Sequence, residues 1–235
     1  MDRELKQELI IGVGAFKSAQ FITRYVGSAF CFNNKGEFKG FDCFRNNEID
    51  LIAGAIGKQV LKFVRDNNNQ AERLIIYYYK PIGKDELDPI QQTLKRLNLN
   101  IPIIIISINK TESSDVAFDI NSSELMPMSG TILQISKLKY LLYNNTRYSE
   151  EGKPIAYPFP VKLALYCTDK DYLENVNNVK ELIDQVYQFS RMYWKSVKQQ
   201  NLPVTIKYPE MVAQIFPHFE GDKLPDFGKN NLWFL

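Results

Sequence analysis

The sequence predicts an α/β protein whose mixed β-sheet is flanked by helices. A β-rich hairpin pattern comes first, and two dense apolar strand patterns then alternate with two helical patterns. Hairpins form antiparallel pairs, whereas strands joined through a helix form parallel pairs. The combination therefore favours a mixed sheet covered by helices.

The first half of the chain supplies most of the predicted strands. An Asn-Asn-Lys-Gly turn sequence separates two β-rich segments and predicts a hairpin between them. Dense apolar runs of strand length predict the buried strands. The predicted strands are Glu8–Val13, Gln20–Asn33, Glu37–Phe44, Leu74–Tyr79 and Ile101–Ile108.

Apolar residues at helical spacing predict three helices. Ile49–Arg65 and Asp85–Leu97 precede the two dense apolar strands, and Leu173–Lys198 is a longer stretch near the end. In the second half we further expect a polar loop, two strands, an extended segment and a short helix. These are Thr111–Ser123, Gly130–Ile135, Lys139–Tyr143, Leu202–Tyr208 and Pro209–Phe216.

The composition says more about the class of protein than about the partners that it binds. Hydrophobic residues make up 45% of the 235 residues, enough for a real core, and the net charge of +2 neither demands nor excludes nucleic acid. Cys31, Cys43 and Cys167 show no zinc-site spacing, so we expect reduced core thiols. The N-terminus lacks the form of a signal peptide, and the longest apolar run is too short to span a bilayer. We therefore expect a soluble, cytoplasmic protein without membrane contact.

Four segments together resemble the PIWI domain of the Argonaute family. The likeness is greatest to short, archaeal-type Argonautes that consist of MID and PIWI domains. The segments are Leu9–Gly14, Leu74–Lys80, Ser129–Ile132 with Tyr140–Tyr143, and Asn201–Pro209 with the terminal Trp233–Leu235. The resemblance implies a ribonuclease-H-like fold over residues 1–235, with a core at about 8–125 and a PIWI extension at about 126–235.

The resemblance also implies a cleavage chemistry for which this sequence lacks the residues. PIWI nucleases are similar to ribonuclease H, in which carboxylates hold two divalent metals about 4 Å apart. The corresponding positions here are Gly14 on the first strand, Lys80 after the central strand and Gln214 at or near the late position. Glu48 is the one candidate for the mobile glutamate. We therefore expect a catalytically inactive PIWI domain with no catalytic residues.

Other acidic residues do not rebuild this metal site in the sequence. Asp85, Glu86 and Asp88 fit the N-terminal turn of a helix, where the helix dipole favours acids. Asp115 and Asp119 fall in a polar loop and are expected to be solvated. We expect His218, the one histidine, to be a loop residue and not a ligand.

The resemblance implies that the capacity to bind a guide strand remains. Positions similar to Lys195, Lys198, Asn201, Thr205, Lys207 and Tyr208 face the first guide phosphates in the family. Lys137 and Lys139 are weaker phosphate candidates. In Argonautes with this type of ending, the C-terminal carboxylate, here that of Leu235, holds a Mg²⁺ or other divalent cation against the guide 5′ phosphate. The alternative is a hydrophobic tail that only packs on the core. Trp194 and Tyr77–Tyr79 are more typical of core residues than of base-stacking ones.

The resulting interpretation is a guide-binding, nuclease-inactive PIWI module that acts in prokaryotic defence against invading DNA. Its expected partners are a guide oligonucleotide, a complementary target strand, a MID domain and an effector protein. Two alternatives stay open: a protein-interaction or dimerisation scaffold, and a divergent metal-dependent endonuclease. The sequence does not decide between RNA and DNA guides, the effector or the oligomeric state. It also does not say whether Met1 is a native start, a split gene or a boundary within a longer protein.

Overall fold

A computed structural model describes most of the chain. The described residues are those outside 1–6, 18–23, 34–37, 39, 46–47, 67–70, 110–114, 123–124, 145–159, 194–201, 221–223 and 235, with only the backbone described for 24–33, 49, 228 and 230. Within this part, no helix is long and apolar enough to cross a membrane.

Eight strands form one mixed sheet in the order β3-β2-β1-β4-β5-β8-β7-β6. Strands β1, β4 and β5 run parallel in its centre, and every other pair is antiparallel. The strands are β1 Glu8–Lys17, β2 Arg24–Asn33, β3 Gly40–Arg45, β4 Arg73–Tyr78, β5 Ile103–Asn109, β6 Ile132–Ser136, β7 Lys139–Leu142 and β8 Val161–Cys167. The predicted mixed α/β sheet is therefore confirmed.

Helices cover both faces of the sheet. Helices α1 and α2 pack on the face that carries Leu9, Ile11 and Val13, while α3 and α4 pack on the face that carries Ile10. Alternate residues of β1 thus enter separate cores, as the two-residue period of a strand requires. The helices are α1 Ile49–Asp66, α2 Lys84–Arg96, α3 Val176–Ser190, α4 Val204–Ile215 and α5 Asp226–Asn230, with single 3-10 turns at Asp171–Glu174 and Phe216–His218.

Three parts of the second half differ from prediction. The helix predicted at Leu173–Lys198 is shorter, since α3 is Val176–Ser190 and Met192 is not helical. Leu202–Tyr208 is wrong as an extended segment because α4 begins at Val204. Its β-branched sequence favours a strand, but Pro203 caps the helix through its carbonyl, which accepts from the nitrogens of Ile206 and Lys207 at 2.9 Å each. Strand β8, which joins the antiparallel end to the parallel centre, was not predicted. The expected division near residue 125 falls between β5 and β6 of one continuous sheet.

A buried ionic network fixes α3 to the ends of the central strands. The Arg73 side chain on β4 donates to Glu8 on β1 through Nε at 2.6 Å, and it also bonds Glu181 at 3.1 Å and the Tyr172 hydroxyl. Gln185 on α3 donates to the other Glu8 oxygen at 2.8 Å. Because Glu8 and Arg73 are both buried, neither charge can lose its partner cheaply.

Candidate nucleic-acid interface

Helix α4 lies directly against the backbone of β1 at Gly12 and at Gly14, the position that the sequence resemblance matches to the first catalytic aspartate of PIWI nucleases. A Cβ on Gly12 would be 1.7 Å from the Thr205 carbonyl oxygen, and a Cβ on Gly14 would be 2.6 Å from that of Ile206. Pro209 has no N–H to donate to the Thr205 carbonyl oxygen within the helix. This close approach requires glycine at both β1 positions, and it leaves no room for an aspartate at Gly14.

Lys80 is engaged on the opposite face of the sheet from Gly14. Its ammonium nitrogen lies 2.9 Å from Glu86 Oε1, at the start of α2. The same carboxylate accepts from the Tyr78 hydroxyl at 2.8 Å and from the Gly83 nitrogen at 3.1 Å. Burial raises the pKa of Glu86, but the hydrogen bonds from Lys80, Gly83 and Tyr78 outweigh it and hold this pKa below its ordinary value. Burial next to this carboxylate raises the pKa of the Tyr78 hydroxyl.

The other two positions expected from the resemblance also lack a metal-binding arrangement. Glu48 accepts a hydrogen bond from the Arg45 nitrogen at 2.7 Å, just before α1. On α4, the backbone nitrogen of Glu210 would be 2.7 Å from a Cβ on Gly14, while Gln214 is exposed one turn later. The acidic residue whose backbone lies against Gly14 is therefore Glu210, which the sequence analysis did not single out.

The described residues do not fit a two-metal centre. Among them, no three His, Cys, Asp or Glu side chains gather where a metal ion could be held. Asp85 and Glu86 occupy the first turn of α2, as expected. The Asp115 side chain is 41% exposed, in line with the expected solvated loop residue, and it forms an ion pair with Lys162 at 2.7 Å. We therefore derive no metal-dependent cleavage step from this arrangement.

Of the six predicted guide contacts, three lie within the described residues. Thr205 is 0% exposed, and among those residues its hydroxyl has no hydrogen-bond partner. Tyr208 is buried, and its hydroxyl donates to the Met192 carbonyl at 3.3 Å. Lys207 is half-buried on the same helix. The structure thus brings the three together on α4 and gives Lys207 the greatest exposure. Lys195, Lys198 and Asn201 lie outside the described residues.

The end of the chain packs beside α4. The Phe234 ring meets Phe41 of β3 edge-on at 4.8 Å and Tyr208 of α4 at 5.6 Å, and Trp233 meets Phe219 at 5.5 Å. The tail is therefore anchored in an aromatic cluster next to the helix that carries Lys207. The carboxylate of Leu235 lies outside the described residues.

The tyrosines, the histidine and two of the cysteines named in the sequence analysis lie within the described residues. Tyr77 and Tyr78 are buried, as expected for core residues, and His218 is exposed at the end of a 3-10 turn. Cys43 and Cys167 are buried free thiols, and burial raises the pKa of both. Trp194 lies outside the described residues, and the side chain of Cys31 is not described.

Comparisons with known proteins agree with the resemblance of the sequence. No protein-family model matches the chain. Over its whole length, the chain is 27% identical to a Piwi protein of Archaeoglobus fulgidus and 22% identical to a protein argonaute of Cereibacter sphaeroides. It spans 60% and 34% of these two relatives, respectively.

Solved structures agree in fold. Drosophila Piwi matches all of this chain with a TM-score of 0.74 at 12% identity, and the match covers 33% of that protein. Marinitoga piezophila Argonaute in complex with 5′ OH guide RNA and target DNA matches 89% of this chain with a TM-score of 0.62 at 17% identity, over 30% of its own length. The fold is thus the ribonuclease-H-like fold of a PIWI domain, and over its whole length this chain is similar in sequence to Piwi and Argonaute proteins.

Proposed function

We propose that this chain is the PIWI module of a nuclease-inactive Argonaute that binds nucleic acid under the direction of a guide strand. The observation that carries the proposal is the packing of α4 on Gly12 and Gly14. It fills the place of the first catalytic aspartate, yet it keeps the helix that bears Lys207 and the tail that ends in Leu235 side by side.

Guide binding through this region would use backbone phosphates and not bases. The Pro203 carbonyl accepts from the nitrogens of Ile206 and Lys207, so the N–H groups at the start of α4 that lack an acceptor within the helix are those of Val204 and Thr205. A helix N-terminus favours anions. Lys207 adds a cation to the same helix. The carboxylate of Leu235 would hold a divalent cation against the guide 5′ phosphate, and a MID domain would supply the rest of the pocket. The phosphate contacts carry no sequence information, so the guide itself would select the target.

We further propose that the module acts in prokaryotic defence against invading DNA, with an effector protein converting target recognition into an effect. This proposal follows from the likeness to short Argonautes and from the lack of a metal-binding set among the described residues. An inactive PIWI module that holds a target strand would need a partner to act on it.

The first test is a binding assay on the purified protein, alone and with a MID domain. Labelled single-stranded RNA and DNA with a 5′ phosphate or a 5′ hydroxyl would be titrated at several salt concentrations. We expect affinity that falls with rising salt and is greater for the 5′ phosphate. Lys207→Ala should weaken binding, whereas Lys62→Ala on the opposite face of the sheet should not. Binding that is absent with the MID domain would contradict the proposal and favour an interaction scaffold.

Thr205 offers a test that separates a guide contact from a core role. Removing a buried hydroxyl that lacks a partner should raise the free energy of unfolding by about 1 kcal/mol. Thr205→Val should therefore be stabilising with unchanged guide affinity if the residue belongs to the core. A several-fold loss of affinity for 5′-phosphorylated guides would instead assign Thr205 to the phosphate path.

Two further assays address the tail and the cleavage chemistry. A short extension after Leu235 should weaken binding of the 5′ phosphate, while the same extension at Met1 should not.

Incubation of the guide-loaded protein and a labelled target with Mg²⁺ or Mn²⁺ should give no cleavage products. Metal-dependent cutting that Glu210→Gln abolishes would overturn the inactive assignment and favour a divergent endonuclease.

A further inference from the structure

A groove of about 590 Å³ lies at the end of the sheet far from α4. One wall is the antiparallel unit β6–β8, and the other is α3 with the 3-10 turn before it. Its floor is apolar and includes the buried side chains of Tyr140, Leu173 and Val179. The groove is therefore built by packed elements and not by a surface loop.

The rim of this groove is positively charged. Three exposed lysines, Lys137, Lys170 and Lys180, line it from both walls, and Glu174 is the acid among the lining residues. None of the three lysines forms an ion pair with another described residue. An apolar floor under unpaired cations complements a ligand that is apolar in part and anionic in part.

The open edge of the sheet adjoins this groove. β6 ends the strand order, pairs with β7 on one side, and has no strand beyond it among the described residues. Ile132 and Ile135 of β6 are each 37% exposed, and Val176 on the opposite wall is 75% exposed. An exposed apolar strand edge is a ready site for another strand to add.

We propose that the groove and the β6 edge dock an extended acidic peptide of a partner protein. The peptide pairs with β6 as an added strand, places alternate apolar side chains on the groove floor, and sets its acidic side chains against Lys137, Lys170 and Lys180. The groove lies at the end of the sheet far from α4, which carries the proposed guide path. The inference does not depend on guide binding.

The chemistry of the surface favours a peptide over the other occupants. A strand edge offers alternating N–H and C=O groups, which a peptide backbone matches and a sugar-phosphate backbone does not. A single strand of nucleic acid stacks successive bases on several exposed aromatic faces, whereas Tyr166 is the one exposed aromatic among the described lining residues and Tyr140 in the floor is buried. A second copy of β6 brings Ile-Leu-Gln-Ile-Ser followed by Lys137, with no acid to pair with the rim.

The test uses a fluorescein-labelled synthetic peptide of ten residues in which glutamate alternates with isoleucine or phenylalanine. Controls are the same peptide with lysine in place of glutamate, and one with two prolines that block strand addition. We expect the acidic peptide to bind the full chain at least tenfold more tightly than either control in fluorescence anisotropy. Lys137→Glu combined with Lys180→Glu should weaken the acidic peptide at least tenfold, whereas Lys84→Glu on α2 should leave it unchanged.

Each other outcome would overturn the proposal in a different way. Equal binding of acidic and basic peptides would remove the role of the lysine rim. Equal binding of the proline-containing peptide would remove strand addition at β6. Competition by oligo-dT that the double lysine variant abolishes would make the groove a nucleic-acid surface. Self-association of the chain that excludes the acidic peptide would make a second copy the occupant. Because guide affinity is measured separately, failure here leaves the proposed function standing.

Discussion

The sheet differs between strand β1 and its β6 end in how closely neighbouring elements cover the strand backbone. Around β1, helix α4 approaches until the carbonyl oxygens of Thr205 and Ile206 meet Gly12 and Gly14. Around β6, the strand edge has no neighbour among the described residues, and a groove of about 590 Å³ separates the sheet from α3. The same sheet is thus tightly covered at β1 and open at its β6 end.

This difference bears on which surface of the sheet is open to a ligand. A two-metal site at β1 would need carboxylates there, and the backbone of α4 lies against Gly12 and Gly14, which supports the proposal of inactivity. A docking surface needs an open strand edge and a preformed pocket, which the β6 end provides. Helix α3 belongs to both arrangements, because Gln185 faces the ionic network while Val179 and Lys180 face the groove.

The largest effect is expected when the ionic network that joins α3 to β1 and β4 is broken. Arg73→Met leaves the Glu8 carboxylate buried without its cation, which should cost about 3 to 5 kcal/mol of the free energy of unfolding. Urea denaturation followed by circular dichroism measures this. Arg96→Met on the exposed face of α2 is the matched control, with a change within about 0.5 kcal/mol.

Two further variants keep the Arg73 prediction interpretable. Glu8→Gln combined with Arg73→Met should recover part of the stability, because it removes the unpaired charge. Arg73→Lys retains the cation and should cost less than Arg73→Met. A full loss in the double variant would show that hydrogen bonds to Glu181 and Tyr172, and not charge pairing with Glu8, hold α3 in place.

The next effect tests how closed the β1 side is. Gly12→Ala puts a methyl group 1.7 Å from the Thr205 carbonyl oxygen, so α4 or β1 must shift. Such overpacking should lower the free energy of unfolding by about 3 kcal/mol. Gly54→Ala is the control: its Cβ meets nothing within 4 Å on α1, and it should raise stability by up to about 1 kcal/mol.

The result of Gly12→Ala also sharpens the proposal of inactivity. An unchanged unfolding midpoint would mean that α4 moves away from β1 at little cost. The place of the catalytic aspartate would then be accessible, and Gly14→Asp could be accommodated. A large loss means that restoring this one acid cannot restore a metal site, because the helix backbone occupies its position.

Much of the fold follows from sequence patterns that are local and strong. The dense apolar runs of β4 and β5 and the periodic helices α1 and α2 were predicted to within a few residues, because burial on both faces of a parallel sheet leaves a clear signal. α4 was missed in part because Val204–Tyr208 is β-rich. Its helical state is set by packing on Gly12 and Gly14, which no local pattern reveals.

The candidate sites differ in the same way. The expectation that Gly14 and Lys80 stand where PIWI nucleases carry acids could be formed from the sequence, because it concerns residue types at motif positions. The approach of the Glu210 backbone to Gly14 could not be predicted without the start of α4, since it depends on where the helix lies against β1. The groove was also missed, because Lys137, Lys170 and Lys180 come from separate elements that converge only when β8 joins the sheet.

The smallest expected effect concerns the position where the family carries its second aspartate. Lys80 and Glu86 form an ion pair beside α2, with the Lys80 side chain 38% exposed and that of Glu86 12% exposed. The hydrogen bonds to Lys80, Gly83 and Tyr78 hold the pKa of Glu86 below its ordinary value despite burial. A lowered folded-state pKa means that the stabilisation is present above the unfolded-state pKa and is lost as pH falls through the folded-state value.

Glu86→Gln should therefore lower the free energy of unfolding by about 1 kcal/mol at pH 7. The effect is small because Lys80, the other partner of the ion pair, is screened by solvent. The difference from the native chain should persist at neutral pH and shrink as pH falls below the ordinary pKa of a glutamate carboxyl, because the native carboxylate then takes up its proton. Urea midpoints measured across this range test it, with Asp85→Asn in the same helical turn as the control. A difference that stays constant with pH would assign the effect to the cap on Gly83 and the Tyr78 hydroxyl. Lys80 would then not be fixed by its charge, and it would be available to turn toward the β1 side.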